Sequence, residues 1–120
     1  MLAAIPAFPV SNVSQSLDFY RDRLGMSVRY QEDEFVILQR DAFELHIWAA
    51  NKPDVPGAEP FIAGTASCRV QVSEVDTLYA ELLPQGIVHP NGPLEDKPWG
   101  TCEFAVLDPD NNLITFFERR

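Results

Sequence analysis

Apolar residues recur at helical spacing in two stretches of the chain. Between Ser11 and Gly25 an apolar side chain returns every three or four positions, which predicts an amphipathic helix. Ser11 or Asn12 can cap its start, and Gly25 can close its end. The same spacing recurs over Val75–Leu83, ahead of Gly86, and predicts a second helix.

Short apolar or alternating segments around these helices predict β-strands. They cover residues 3–10, 26–30, 35–40 and 43–50 in the first half, and 65–72, 87–89, 100–107 and 112–118 in the second. Pro6 and Pro9 suit the first strand to a sheet edge, because proline has no N–H to donate. Phe43, Phe104 and Phe116 share strand positions with other apolar residues and are predicted to be core. The proline- and glycine-rich residues 51–64 read as a long loop.

The two halves of the chain repeat one order of elements. Val10-Ser11-Asn12-Val13 precedes the first helix, and Val72-Ser73-Glu74-Val75 precedes the second. Short strands follow the glycine that closes each helix, so the repeat is a duplicated βαβββ unit. We therefore predict an α+β fold with paired βαβββ modules in one domain, residues 1–120, divided at about residues 1–63 and 64–120. A cleft between the modules is the expected binding site.

Composition narrows the classes of partner. The formal net charge of −9 over 120 residues repels phosphate backbones and anionic membranes and attracts cations. We therefore expect no nucleic acid and no membrane partner. No apolar run approaches the roughly 20 residues of a membrane span, and the start lacks a basic n-region, so a cytoplasmic location is expected. Cys68 and Cys102 lie in strand-like runs and are expected to be buried thiols without catalytic or metal roles.

Pro98-Trp99-Gly100 is the leading candidate for ligand binding. A tryptophan offers a large flat apolar surface, and the adjacent glycine allows close approach. We expect Trp99 to form half of a platform for a flat cationic molecule, with Phe35 as the other half. Further aromatic candidates are Trp48, for which core packing is an equal alternative, Tyr30 and Phe61.

Polar residues add candidate contacts. Asp33 and Glu34, in an acidic turn before the third strand, can attract a cationic tail, although such turns are also commonly just solvated. Glu103 shares strand parity with Trp99 and can face the same ligand. Arg69 either pairs with an acidic partner or lines the cleft, and His46 either contacts a ligand or hydrogen-bonds locally.

Several motifs resemble the vicinal oxygen chelate superfamily, which includes glyoxalases and bleomycin-resistance proteins, and the latter are the nearer resemblance. The matching segments are Ser16–Gly25, Glu32–Phe35, Leu38–Asp41, Leu78–Glu81, Pro98–Gly100, Glu103–Ala105 and Leu107–Asp110. The resemblance implies a cytoplasmic homodimer that exchanges N-terminal strands. It also implies antibiotic resistance by non-covalent sequestration of bleomycin-type cationic glycopeptides, metal-loaded or metal-free, in clefts at the dimer interface.

The same resemblance bears on catalysis. Metal-dependent members place ligands at positions that correspond to Ile5, Ser67 and Thr115 here, and these do not form a ligand set for a transition metal. No serine or cysteine has a recognisable base beside it. We therefore expect a binding protein with no catalytic residues, no metal and no cofactor. The alternatives are a metal-dependent enzyme of the superfamily, such as a glyoxalase-like lyase, a dioxygenase or a fosfomycin thiol transferase, and a binder of another planar molecule.

Overall fold

A computed structural model describes residues 1–50 and 62–120 of the chain. Most of the predicted loop 51–64, including Phe61, lies outside the described residues. The strands are β1 (Ala7–Val10), β2 (Ser27–Glu32), β3 (Phe35–Arg40), β4 (Phe43–Ala49), β5 (Ser67–Gln71), β6 (Glu95–Lys97), β7 (Thr101–Leu107) and β8 (Leu113–Arg119). The α-helices are α1 (Val13–Asp18) and α2 (Val75–Leu82).

The chain divides into two compact units with the same topology. Unit 1 comprises Met1–Ala66 and Asp108–Asn112, and unit 2 comprises Ser67–Leu107 and Leu113–Arg120. Sheet 1 has the strand order β1-β4-β3-β2, and sheet 2 has the order β5-β8-β7-β6. In each sheet the first strand runs parallel to the last, and the other neighbours are antiparallel. The predicted βαβββ order is therefore confirmed in both units.

Alternation along β3 and β4 gives sheet 1 two different faces. Val36, Leu38, Leu45 and Ile47 are fully buried, and α1 packs against these two strands. The intervening residues of both strands are partly exposed, as the period-two pleat requires. We call their side the helix-free face of sheet 1; it carries Phe35, Ile37, Gln39, Glu44, His46 and Trp48.

The first helix begins and ends where the sequence predicts, but its last turn widens. The side chain of Asn12 accepts a hydrogen bond from the Gln15 amide at 2.9 Å and caps α1. A π-helical turn, Phe19–Arg23, follows α1. Gly25 has a φ of +75°, and the next amide, Met26, donates to the Tyr20 carbonyl at 2.9 Å. The left-handed glycine thus closes the helix by turning the chain back onto its last turn.

Unit 2 builds its core in the same way. α2 packs on β7 and β8, and the Tyr79 ring meets the Phe104 ring edge-on at 5.1 Å between centroids. Phe104 and Phe116 are buried, which confirms their predicted core positions. Phe43, predicted as core, is instead only partly buried, because it is the first residue of β4 and lies at the sheet end beside a turn.

One predicted strand is wrong, and the N-terminal strand is much shorter than predicted. Residues 87–89 contribute only a single bridge, between Val88 and Val106, and the edge strand beside β7 is instead β6. Its residues, Glu95–Lys97, are all polar or charged and carry no β-type pattern. The N-terminal strand begins at Ala7 rather than at residue 3.

The turn Asp108–Asn112 connects β7 to β8 and packs within unit 1. The Tyr20 hydroxyl donates to Asp108 Oδ2 at 2.9 Å, and both side chains are buried. Asn112 Nδ2 donates to the same carboxylate at 2.8 Å and to the carbonyl of Pro9 at 2.9 Å. A buried carboxylate needs such donors, since desolvation without them is costly.

Among the described residues, no helix is long and apolar enough to cross a membrane.

Candidate functional site

The predicted aromatic corner lies at the tip of the β6–β7 hairpin. Lys97 pairs with Thr101, which leaves Pro98, Trp99 and Gly100 as a three-residue loop. The Gly100 amide donates to the Lys97 carbonyl at 3.1 Å, and Gly100 has a φ of +89°. Three-residue hairpin loops commonly end in such a left-handed residue, for which glycine has no steric penalty. The hairpin therefore presents Trp99 with 63% of its surface exposed.

A buried carboxylate lies beside this tip. Glu103, on β7, is only 6% exposed. Arg69 contacts it through Nη2 to Oε2 at 2.7 Å and Nη1 to Oε1 at 3.3 Å. The Thr101 hydroxyl donates to Oε2 at 2.7 Å, and the Trp99 indole N–H donates to the same oxygen at 3.4 Å. The hydrogen bond from Arg69 is the main reason that the pKa of Glu103 is lowered, because it favours the ionised form.

Arg69 is held from two sides. Its guanidinium carbon lies 4.8 Å from the centroid of the Phe117 ring, within the range of a cation–π contact. Its ion pair with Glu103 raises the pKa of the Arg69 guanidinium. Of the two roles left open by the sequence, the structure therefore gives Arg69 an acidic partner.

The aromatic candidates of unit 1 gather on and beside the helix-free face of sheet 1. Phe35 lies directly across from Trp48 in the β3–β4 register. The His46 ring meets the Phe35 ring edge-on at 5.3 Å, and Tyr30 lies 6.3 Å from Phe35 between ring centroids. These four side chains form one aromatic patch, which we call the sheet 1 patch.

Two polar residues near this patch already have local partners. His46 Nε2 lies 2.6 Å from a carboxylate oxygen of Glu44, so His46 makes the local hydrogen bond that the sequence left as one alternative. The Tyr30 hydroxyl donates to Glu32 at 2.7 Å, and this hydrogen bond raises the pKa of Tyr30. Asp33 and Glu34 are exposed at the turn between β2 and β3. Their contact with a cationic ligand stays a prediction.

The structure brings the candidates together in two groups. Pro98, Trp99, Gly100, Glu103 and Arg69 lie together in unit 2, whereas the sheet 1 patch, Asp33 and Glu34 lie in unit 1. The stacking of one ligand between Trp99 and Phe35 stays a prediction, as do the other ligand contacts. The sequence interpretation missed Phe117 as a neighbour of Arg69. Its alternation with the buried Phe116 on β8 was the available clue.

Neither a metal centre nor an activated thiol is built from the described residues. In the ranges 1–50 and 62–120, no three His, Cys, Asp or Glu side chains group as metal ligands. Ile5 has no donor atom, and Ser67 and Thr115 offer only hydroxyls, so this set does not fit the metal of the enzymatic relatives. Burial raises the pKa of the Cys68 thiol to about 11 and also raises that of Cys102. Both thiols therefore stay protonated at neutral pH.

Comparison with known proteins identifies the family. The model of the Glyoxalase/Bleomycin resistance protein/Dioxygenase superfamily matches residues 4–116. The chain belongs to this superfamily. A bleomycin resistance protein of Geobacillus stearothermophilus is 45% identical over 129 aligned residues, which cover 99% of this chain and 98% of that protein.

Solved structures agree with this assignment. The bleomycin-binding protein of Streptomyces verticillus in complex with copper(II)-bleomycin has a TM-score of 0.78 and 25% identity, covering 97% of this chain and 94% of that one. A bleomycin-binding protein complexed with bleomycin has a TM-score of 0.76 and 25% identity over the full length of both chains. The fold is thus the glyoxalase/bleomycin-resistance fold.

Proposed function

We propose that this chain confers antibiotic resistance by binding bleomycin-type glycopeptides without modifying them. The observation that carries the proposal is Trp99, a mostly exposed indole held at the tip of a tight hairpin. A bleomycin resistance protein that is 45% identical over nearly the whole chain supports the choice of ligand.

The chemistry of the drug matches what the two groups of residues offer. The flat bithiazole of bleomycin can stack on Trp99 and on Phe35 of the sheet 1 patch, and each good stack adds about 0.5–1.5 kcal/mol beyond area burial. Its cationic tail is attracted by the net charge of −9 and by the exposed carboxylates of Asp33 and Glu34. Binding in this way needs no reacting group.

Sequestration rather than catalysis is supported by the chemistry of the side chains. The residues at the metal positions of enzymatic relatives do not fit a metal, and the two thiols are held protonated by burial. Protection of the cell then depends on affinity and on the concentration of the protein, because the drug is held away from its target with no bond made or broken.

We further propose that the protein acts in the cytoplasm as a homodimer whose subunits exchange their N-terminal strands. β1 is an edge strand and pairs in parallel with β4 of its own chain. The same four residue pairs can form between two chains, because strand exchange reuses an existing interface. Leu2 and Ile5, ahead of β1, are exposed apolar side chains that a partner subunit can cover. Light scattering on the purified protein tests the dimer.

Calorimetric titration with copper-loaded and with metal-free bleomycin tests the binding proposal. We expect saturable binding of one drug per chain, and mass spectrometry of the released drug should show an unchanged mass. Fosfomycin with a thiol and a divalent metal serves as the comparison ligand. Absence of binding to both forms of bleomycin would contradict the proposed ligand, and a drug of altered mass would contradict sequestration.

A further inference from the structure

Glu103 combines burial with an unusual number of donors on one carboxylate. Three different side chains, Arg69, Thr101 and Trp99, donate to it, and Oε2 alone accepts from all three. A carboxylate offers about four acceptor sites. The protein itself therefore occupies nearly all the hydrogen-bonding capacity of this group.

We propose that Glu103 is a positioning residue that holds the Trp99 indole and the Arg69 guanidinium in place, and does not itself contact the ligand. The expected effect of Glu103 on drug affinity rests on the proposed function, whereas its effect on Trp99 and Arg69 does not. It replaces the simpler expectation that Glu103 faces the same ligand as Trp99.

Access and charge both argue against direct contact with the drug. Only 6% of Glu103 is exposed, so an ammonium group of a ligand cannot approach the carboxylate without displacing a donor. Its negative charge is already compensated by Arg69 at 2.7 Å. A second cation would have to compete with a guanidinium that makes two hydrogen bonds to the same group.

The hairpin tip fixes the backbone of Trp99 but not the orientation of its side chain. The hairpin loop fixes the backbone of Trp99, and the Arg120 amide secures it further by donating to the Gly100 carbonyl at 2.8 Å. The indole itself is mostly exposed, and its hydrogen bond to Glu103 reaches 3.4 Å, so it is a long and weak tether. This tether orients a stacking surface that the backbone alone leaves free to rotate about its side-chain torsions.

The Glu103 carboxylate also holds the Arg69 guanidinium in position. Arg69 bridges Glu103 and the face of Phe117, so loss of Glu103 removes the ionic one of these two contacts. A guanidinium freed in this way puts an uncompensated positive charge beside Trp99, where a cationic drug approaches. Removal of Glu103 should therefore weaken binding by two routes, disorder of the indole and repulsion by Arg69.

Nuclear magnetic resonance of the two tryptophan indole N–H groups tests the proposal on the free protein. In Glu103→Ala, the Trp99 indole signal should shift and exchange faster with water, whereas the Trp48 signal should not move. Glu103→Gln keeps an acceptor for the indole and should restore most of the Trp99 signal. Glu95→Ala is the matched control, because Glu95 lies directly across from Glu103 on β6 and is exposed.

Drug titration supplies the second readout. Bleomycin affinity should fall about three- to tenfold in Glu103→Ala and stay at the wild-type value in Glu95→Ala. Part of the loss should remain for bleomycinic acid, which lacks the cationic tail, because disorder of the indole does not depend on that tail. A loss that disappears completely with bleomycinic acid would show that Glu103 acts only on the cationic tail and does not hold the indole for binding, and the proposal would be overturned.

An unshifted Trp99 signal in Glu103→Ala would also overturn it, whatever the affinity. If the wild type does not bind bleomycin, the proposed function fails, but the indole signals still decide whether Glu103 holds Trp99. The Trp48 signal reports whether each variant remains folded. Should Glu103→Ala fail to fold, the wild type decides, since a Trp99 indole N–H that exchanges with water as fast as that of free tryptophan would show that Glu103 does not hold the indole.

Discussion

Replacement of Trp99 by alanine is the most direct test of the stacking surface. The indole is 63% exposed, so roughly 100–160 Å² of a side chain that buries 150–250 Å² remains free to be covered. A planar ligand covers about half of that area, which is worth roughly 1–2 kcal/mol at 25 cal/mol per Å². Stacking adds about 0.5–1.5 kcal/mol. Trp99→Ala should therefore weaken bleomycin binding at least tenfold, since about 1.4 kcal/mol corresponds to a factor of ten.

Calorimetric titration with copper-loaded bleomycin measures this loss without relying on the fluorescence of the residue removed. Trp99→Phe should show a smaller loss, because it keeps an aromatic face but lacks the indole N–H. Leu83→Ala is the control, since Leu83 is a similarly exposed apolar residue (50%) on the turn after α2. Thermal unfolding should be nearly unchanged in all three variants. Unaltered affinity in Trp99→Ala would refute the stacking role of this residue.

Three further predictions concern stability. Tyr20→Phe removes a buried donor to the Asp108 carboxylate and should lower the free energy of unfolding by about 1.5–3 kcal/mol in urea titration; no change would mean that other donors suffice. Gly64→Ala should lower the free energy of unfolding by at least about 2 kcal/mol more than Gly86→Ala does. Both glycines have positive φ, but only a Cβ at position 64 would press against backbone, at the carbonyl of Asp110. The pKa of Glu103 lies below its ordinary 4.5, so its ionised form contributes full stability above about pH 4.5 and loses it as the pH falls through the lower native value. Wild type should accordingly lose its advantage over Glu103→Gln only in acid, and an advantage that vanishes near neutral pH would contradict this.

Local sequence patterns predicted the parts of the site that are built from residues adjacent in the chain. Pro98-Trp99-Gly100 was identified as an aromatic corner because proline and glycine specify turn geometry on their own. Local sequence patterns did not predict β6, because Glu95–Lys97 form a strand only through pairing with β7. A polar edge strand carries little propensity of its own.

Local sequence patterns also could not predict side-chain contacts between residues far apart in the sequence. Strand parity placed Glu103 near Trp99 but left the partner of Arg69 open, because these two residues are 34 positions apart. Their meeting requires β5 and β7 to flank β8 in one sheet. The role of Glu103 accordingly changed from a candidate ligand contact to a group enclosed by donors of its own chain.

The sequence by itself determined the two helices, their closing glycines, the repeated βαβββ order and the family. Each of these follows from periodicity, from conformations that few residues can adopt, or from motifs read along the chain. Tertiary structure decided which polar side chains meet, as with Arg69 on Glu103 and Tyr20 on Asp108. The physical reason is that a buried polar group takes its partner from whichever strand or turn the fold brings within hydrogen-bonding distance, and local sequence does not encode that approach.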